Sequence, residues 1–476
     1  MTGGETQTAG GISQGETQIS KKDQEFREFA LHGNMWKVVW QVTLPLCLYH
    51  CLGTVFGVLD TMIASHIGST TVSAVAYLVQ INSIISAVGG GLAAGASLKV
   101  SEAYGKGDYD LVKRRVNTLY AMCGLLSAVI VLLIPFADLI LRMAQTPQEL
   151  IAEGRRYFQV QLLGMVFTFF NNVYIAIERA RGETKLIMKL NILVILTKTS
   201  LTALFVYGLH GNVVTISLAT VIAQAMLTAI AFCRMNQEKN AFGFSLKYIT
   251  WKWDITVPMI AQSIPLIAER ALFSLGKLMV SAMSALYGVL TVGALGISNN
   301  LGGFAAAPQN GFQEGAASII SQNVGAGSLK RALEAFRAVL VYNVAAGLLA
   351  YFLAMGFLPQ ISWAFAENDP EFQELIQIIF RYEALGFVPL GINASVMALL
   401  YGLGETKVAL LISMSRVFVF RVPVLWFLQN FTNVGQESVG IVMMVSNVSV
   451  AAVAILAGIL VVRREKRLFQ KRAVSE

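Results

Sequence analysis

The sequence predicts an all-α integral membrane protein whose twelve transmembrane helices form two pseudo-symmetric six-helix lobes. Three observations carry that prediction. Of 476 residues, 55% are hydrophobic and only 13% are charged, where a soluble chain carries about 25% charged residues. Mean hydropathy is +0.62, and the apolar residues fall in runs long enough to cross a bilayer core of about 30 Å. The chain also repeats itself at an offset of 220 residues. A soluble enzyme, a nucleic-acid binder and a disordered scaffold are excluded at this level.

The elements follow in order. Residues 1–35 hold Gly, Thr, Gln, Ser and charge without an apolar core, which predicts a mobile cytoplasmic tail and no cleaved signal peptide. Spans are expected at 38–65, 72–98, 117–141, 157–178, 186–208 and 213–233 in an N-lobe covering 36–235. A polar cytoplasmic linker occupies 236–255. The C-lobe, 256–463, holds spans at 256–284, 291–322, 336–357, 380–402, 407–429 and 438–462, before a basic tail over 464–476. Gly302, Gly303 and Pro308 invite a break within the eighth span.

Charge tests this count. Of 36 Lys and Arg, 27 fall on the side that holds both termini and 4 on the other (Arg142, Arg155, Arg156, Arg381), with 5 inside spans. The positive-inside rule then places both termini in the cytoplasm of a multi-pass protein of the cytoplasmic membrane. The net charge of +8 is accounted for by loops facing anionic lipid, so nucleic acid is not expected as a partner.

The repeat is carried mainly by glycines. At the 220-residue offset, Pro45 falls on Pro265, Val72 on Val292, Ala74 on Ala294 and Gln80 on Asn300. Gly91, Gly95, Ser101, Gly105 and Gly107 fall on Gly311, Gly315, Ser321, Gly325 and Gly327. With a two-residue insertion Asn171 meets Asn393, and Gly182-Glu183-Thr184-Lys185 meets Gly404-Glu405-Thr406-Lys407. Six spans per repeat give both halves the same orientation, so the pseudo-twofold axis runs along the membrane normal. Two such lobes around a central cavity are the machinery of alternating access.

Several of these segments resemble the multidrug and toxic compound extrusion (MATE) transporters. Leu44-Pro45-Leu46, Leu59-Asp60-Thr61 and His66-Ile67-Gly68 are similar to that family's first-helix signature. Gly105-Lys106-Gly107 with Lys113 and Arg114 resembles its loop between helices two and three, and Arg181 to Lys185 its loop after helix four. Arg421-Val422-Pro423 resembles its eleventh helix. The likeness runs from about residue 36 to 463 and implies export of organic compounds driven by proton or sodium entry.

Ionisable residues inside spans cost about 3 kcal/mol or more and persist when paired, hydrated or used. Asp60 is the only acid placed well inside a first-half span, and by resemblance it matches the aspartate on which the family's coupling ion acts. Where many relatives carry Asn and Asp in helix five, this chain has Lys198 and Thr202, which argues against sodium in the first lobe. A Lys198–Asp60 pair that opens on protonation would suit proton coupling, and a permanent pair is the alternative. In the second half Glu269 lies four residues after Pro265, where some relatives bind the coupling ion. Arg270, Lys277, Arg416 and Arg421 outnumber the acids Glu269 and Glu314 there, which would serve an anionic or zwitterionic substrate unless the arginines merely snorkel. Arg270 stands about 100° around the helix from Glu269, so the two cannot point at one spot.

Asn171, Asn191, Thr202, Asn300, Asn393, Arg270 and Arg416 are the candidates to line a substrate cavity, with tying helices together as the other role open to Asn171, Asn300 and Asn393. Pro45, Pro265, Pro308 and Pro389 are candidate hinges or fixed kinks. Cys47, His50 and Cys51 share a helical turn but lack a fourth ligand, so no metal and no cofactor are expected beyond a coupling ion, H+ first and Na+ second. The reading is a monomeric secondary antiporter, not an enzyme, whose partners are a small organic substrate and membrane lipid. Its rivals are a lipid-linked-sugar flippase of the wider superfamily, and an intramembrane transferase, for which paired acidic motifs are missing.

Overall fold

The computed structural model describes residues 19–65, 69–143, 148–209, 211–238, 240–366 and 369–475. It is a bundle of long helices. The N-lobe comprises α2 (Met35–Ser65), α3 (Ser69–Lys106), α4 with its short extension α5 (Tyr109–Leu133, Ala137–Met143), α6 (Gln148–Ala180), α7 (Thr184–Ala203) and α8 (Val213–Gln237). The C-lobe comprises α9 (Trp253–Ser284), α10 (Val289–Gly325), α11 (Leu329–Gly356), the pair α13–α14 (Pro370–Leu385, Phe387–Leu403), the pair α15–α16 (Thr406–Phe418, Val422–Phe431) and α17 (Glu437–Ser475). A short helix, α12 (Leu358–Phe365), precedes α13. Each expected span has its helix or helix pair.

By length and composition alone, nine of the described helices, or ten with the bent α13–α14 pair, are apolar enough to cross a membrane. The two rods outside that number are α9 and α10. Both are polar for a reason the site explains: they carry Glu269, Arg270, Lys277, Asn310, Gln313 and Glu314 to a shared cavity. The outer surface is apolar, with Leu132, Leu349, Phe352 and Leu456 among its exposed side chains. All six Trp are exposed. Trp36, Trp40, Trp251 and Trp253 sit near the starts of α2 and α9, while Trp363 and Trp426 lie on α12 and α16. This is the distribution of interfacial aromatic belts.

The duplication is visible as packing. A Cβ on Gly91, Gly95 or Gly105 would overlap the backbone of Ile267, Ser263 or Gln322 respectively. A Cβ on Gly311, Gly315 or Gly325 would meet Cys47, Thr43 or Glu102. Each of these contacts crosses between lobes, and each is carried onto its counterpart by the same 220-residue offset. The lobes therefore meet along two equivalent seams, α3 on α9 and α10 on α2, and at a contact of α3 with α10 between them, where only glycine lets the backbones approach this closely. The four inter-helix turns on the basic face repeat likewise, with Gly107, Gly182, Gly327 and Gly404 at φ of 81°, 82°, 80° and 84°.

Several expectations need correction. Part of the 1–35 segment is ordered: α1 (Lys21–His32) starts at a capping box between Ser20 and Asp23. Asp23 is buried because Arg181 binds both its oxygens, at 2.9 and 3.2 Å. Arg181 also pairs with Glu238 at 2.7 Å and Glu178 at 3.5 Å. Burial alone would lower its pKa, but Glu178, Asp23 and Glu238 outweigh that and hold the guanidinium above its ordinary value. The eighth span does not break, and α10 runs through Gly302, Gly303 and Pro308. Pro45 and Pro265 also lie inside continuous helices. Of these four prolines, only Pro389 lies at a break between helices, a 41° bend at Gly386 between α13 and α14. The proline cannot donate to the carbonyl one turn earlier, so the helix yields there. Gln309 then caps the nearby Phe387 carbonyl at 2.8 Å.

Candidate substrate cavity and ion-coupling site

The cavity lies between the lobes and runs into the C-lobe. Two connected chambers of about 330 and 460 Å³ share His50, Glu269, Arg270, Phe273, Asn310 and Gln313. Toward the basic face it ends where the seams close: Ser101 and Ser318 hydroxyls lie 3.0 Å apart across the lobes. Beyond them Ser321 donates to the Leu98 carbonyl at 2.8 Å and Gln322 to the Ala180 carbonyl at 2.8 Å.

At the lobe boundary Glu314 of α10 is the hub. Arg179, from the end of α6 in the other lobe, donates to its Oε2. His50 Nε2 of α2 stands 3.6 Å from that oxygen, and an Arg270 nitrogen 3.9 Å from Oε1. The first two partners come from the N-lobe and the third from the C-lobe, so this charged cluster ties the lobes together. In the sequence Arg179 falls just outside the expected 157–178 span, on the side of the basic loops, and Glu314 stands only as one of two second-half acids. One signal was available: the 220-residue offset carries His50 onto Arg270, marking two equivalent places on α2 and α9.

Glu269 sits one residue from Arg270 with separate partners. It accepts from Tyr401 Oη at 2.6 Å and from Ser413 Oγ at 2.8 Å. Both side chains line the same chambers. The 100° between them sends them to different walls without excluding either from the cavity. The second chamber continues to Lys277, Arg416, Arg421, Asn393 and Glu383. Glu383, which sequence reading passed over, accepts from Ser298. Asn447 holds Arg416 at 2.7 Å and Arg421 at 3.4 Å.

The other candidates sit elsewhere. Asn171 ties α6 to α8, donating to the Gln224 side chain at 2.7 Å and accepting from Thr228 at 2.9 Å. The Asn191 amide donates within its own helix to the Ile187 carbonyl at 2.8 Å. Thr202 is buried on α7 with no hydrogen-bond partner for its hydroxyl among the described residues. Asn300 is exposed, and its neighbour Asn299 lines the cavity instead. Lys198 is half-buried on α7 and does not line these chambers. Asp60 is on α2, but its side chain lies outside the described residues, and so does any Lys198–Asp60 pair. No group of three or more His, Cys, Asp or Glu that could hold a metal ion occurs among the described residues.

Comparison with known proteins agrees with this architecture. A family model described as MatE matches residues 45–204 and 265–427, two segments that begin 220 residues apart. The probable multidrug resistance protein YoeA of Bacillus subtilis is 22% identical over 415 residues, covering 84% of this chain and 88% of that protein. The multidrug export protein MepA of Staphylococcus haemolyticus is 23% identical over 308 residues, covering 63% of this chain and 67% of that protein. A solved structure described as the outward-facing conformation of a multidrug resistance MATE family transporter superposes with a TM-score of 0.88 at 18% identity, covering 94% of this chain and 99% of that one. A transporter of the MOP superfamily from Pyrococcus furiosus, described as having reverse polarity in its binding pocket, superposes with a TM-score of 0.89 at 19% identity, covering 94% of this chain and 99% of that one. These structural likenesses are likenesses of fold.

Proposed function

Because the chain belongs to the MatE family, we propose that it is a secondary active antiporter. It exports small amphiphilic organic compounds across the cytoplasmic membrane, driven by proton entry. The observation that carries the reading is the cavity itself: a polar chamber inside an apolar bundle, between two equivalent lobes held by a breakable charged cluster at Glu314. The basic face, with its loop glycines and cationic termini, is the cytoplasmic one. The multi-pass chain acts as a monomer with lipid around it.

Coupling rests on carboxylates that change protonation while substrate is exchanged. Glu269 reaches the cavity and is held by two neutral donors, so it can take a proton without breaking an ion pair. Asp60 and Lys198 are the corresponding N-lobe elements. Protonation removes a charge that the low-dielectric interior penalises, and the helices carrying it repack. Proton is preferred over sodium because a hard cation needs several oxygen ligands with negative charge among them. Lys198 stands instead where the family's resemblance expects a neutral ligand.

The test is dye movement in proteoliposomes with a pH gradient and a sodium gradient imposed separately, for wild type, Asp60→Asn and Glu269→Gln. Transport that follows the pH gradient and falls at least tenfold in either variant is expected. Transport driven by sodium alone would overturn proton coupling, and the absence of gradient-driven movement of any dye would overturn the antiporter reading.

A further inference from the structure

We infer, resting on the exporter reading, that the C-lobe chamber takes organic anions, bound through a carboxylate or phosphate at a three-cation cluster. Lys277 of α9, Arg416 of α15 and Arg421 at the α15–α16 junction converge on one aromatic ring. Their charged groups lie 5.2, 5.1 and 5.9 Å from the centroid of Phe273. The partners that hold the arginines are neutral: Asn447 for both, and Ser446 for Arg421 at 3.0 Å. Among the described residues, no carboxylate pairs with any of the three within 4.0 Å.

Three like charges gathered in a chamber inside a lipid-facing bundle repel one another, and partial burial weakens the screening they would have in bulk water. A cation–π contact offsets part of this cost, but one ring does so for three cations. The arrangement leaves unmet capacity. Arg416 Nε, a donor, is buried without a hydrogen-bond partner among the described residues. Arg421 is only 2% exposed and fixed in place, whereas Lys277 is exposed to the chamber and can move to a ligand. The chamber is lined by four cations, Arg270 included, against Glu269 and Glu383. Those two acids are already engaged by hydroxyls. An anion placed here satisfies the cluster, whereas a cationic substrate would meet the same field with the opposite sign. The volume, about 460 Å³, suits a small molecule. A soluble amphiphile and a phospholipid head group share this chemistry.

The test uses the full chain in phosphatidylcholine nanodiscs, with anisotropy titrations of fluorescein (an anion) and rhodamine 6G (a cation of similar size). Fluorescein is expected to bind at least tenfold more tightly. Lys277→Gln should weaken fluorescein about tenfold, Lys277→Arg should restore it, and neither should weaken rhodamine 6G. Displacement by naphthyl phosphate assigns the site to soluble anions. Displacement only when phosphatidylglycerol replaces part of the phosphatidylcholine assigns it to lipid head groups, and both outcomes support the inference. Tighter binding of rhodamine 6G, with fluorescein indifferent to Lys277→Gln in folded protein, overturns it. Gradient-driven movement of rhodamine 6G without fluorescein binding overturns the anion site and leaves the exporter reading standing. Lys277-dependent fluorescein binding without gradient-driven movement of either dye does the reverse.

Discussion

Glu269 and Glu314 are two carboxylates on facing helices with opposite surroundings, and the difference assigns them different work. Glu314 is ringed by Arg179, His50 and Arg270, ion pairs that tie the lobes together. Glu269 is held by two neutral hydroxyls, the arrangement that the proposed proton coupling uses. Glu269→Gln keeps the shape and one acceptor, so dye binding should change less than about threefold while pH-driven transport falls at least tenfold. Binding and flux measured on one preparation separate the two effects. Arg179→Ala removes the nearest partner of a cavity-lining carboxylate that keeps His50 and Arg270 nearby and should cost about 1.5–3 kcal/mol, the range for a charged hydrogen bond, read as a lowered thermal midpoint in detergent. The sequence exposed Glu269 because it lies mid-helix after a proline. It concealed the Glu314 cluster, because Arg179 falls at a helix end where basic residues normally face the cytoplasm. Its pairing with a residue 135 positions away depends on how the lobes dock. Asn171, for which the sequence left lining a cavity and tying helices both open, does the second, because an amide within an apolar helix has the same sequence signature either way.

At the scale of elements, helix positions were legible because apolar length and basic loops are local properties. Continuity was less so. Glycine and proline in α10 predicted a break, yet the helix runs on: Gly302 makes room for the Glu383 side chain of α13 and Gly303 faces Thr54 of α2, while the real bend formed at Gly386, three residues before Pro389. A Cβ on Gly386 would meet Asn447, the residue that holds Arg416 and Arg421, so the bend and the cation cluster are built together. Helix α1 was hidden in a polar tail because it is held by capping and one buried carboxylate and has few apolar residues, although Phe26, Phe29 and Ala30 pack it onto the lobes. It lies across both lobes. Arg27 donates to the carbonyls of Tyr104 and Gly105 at 3.0 and 2.9 Å, while Arg331 of the C-lobe donates to the Gly33 carbonyl at 2.8 Å. Such a strap favours the state closed on this face. Asp23→Asn weakens its anchor to Arg181 and should cost about 1.5–3 kcal/mol, the range for charged hydrogen bonds. The expected results are a lower thermal midpoint and faster alkylation of a Ser318→Cys probe in a background lacking the four native cysteines. An unchanged alkylation rate would mean that the strap does not bias the lobes.

Across the whole molecule, the seams decide whether two lobes can act as a machine. Close glycine contacts give van der Waals attraction without side chains that must unlock. The charged and hydroxyl contacts across them are few and discrete, so the interface can separate as two rigid surfaces. Closure on the basic face runs through Ser101–Ser318 and, by the same symmetry, through Ser321 and the Leu98 carbonyl. If transport requires these seams to part, fixing one of them must stop the cycle while leaving the cavity intact. Ser101→Cys with Ser318→Cys, again without the native cysteines, puts two thiols where hydroxyls now lie 3.0 Å apart, within reach of a disulfide after small adjustment. Oxidation should abolish gradient-driven transport, reduction should restore it, and dye binding should persist in both forms because the crosslink lies at the basic end of the cavity. Transport that continues with the crosslink formed would show that substrate passes without separation of the lobes on this face. The coupling assigned to Glu269 would then need a route other than alternating access.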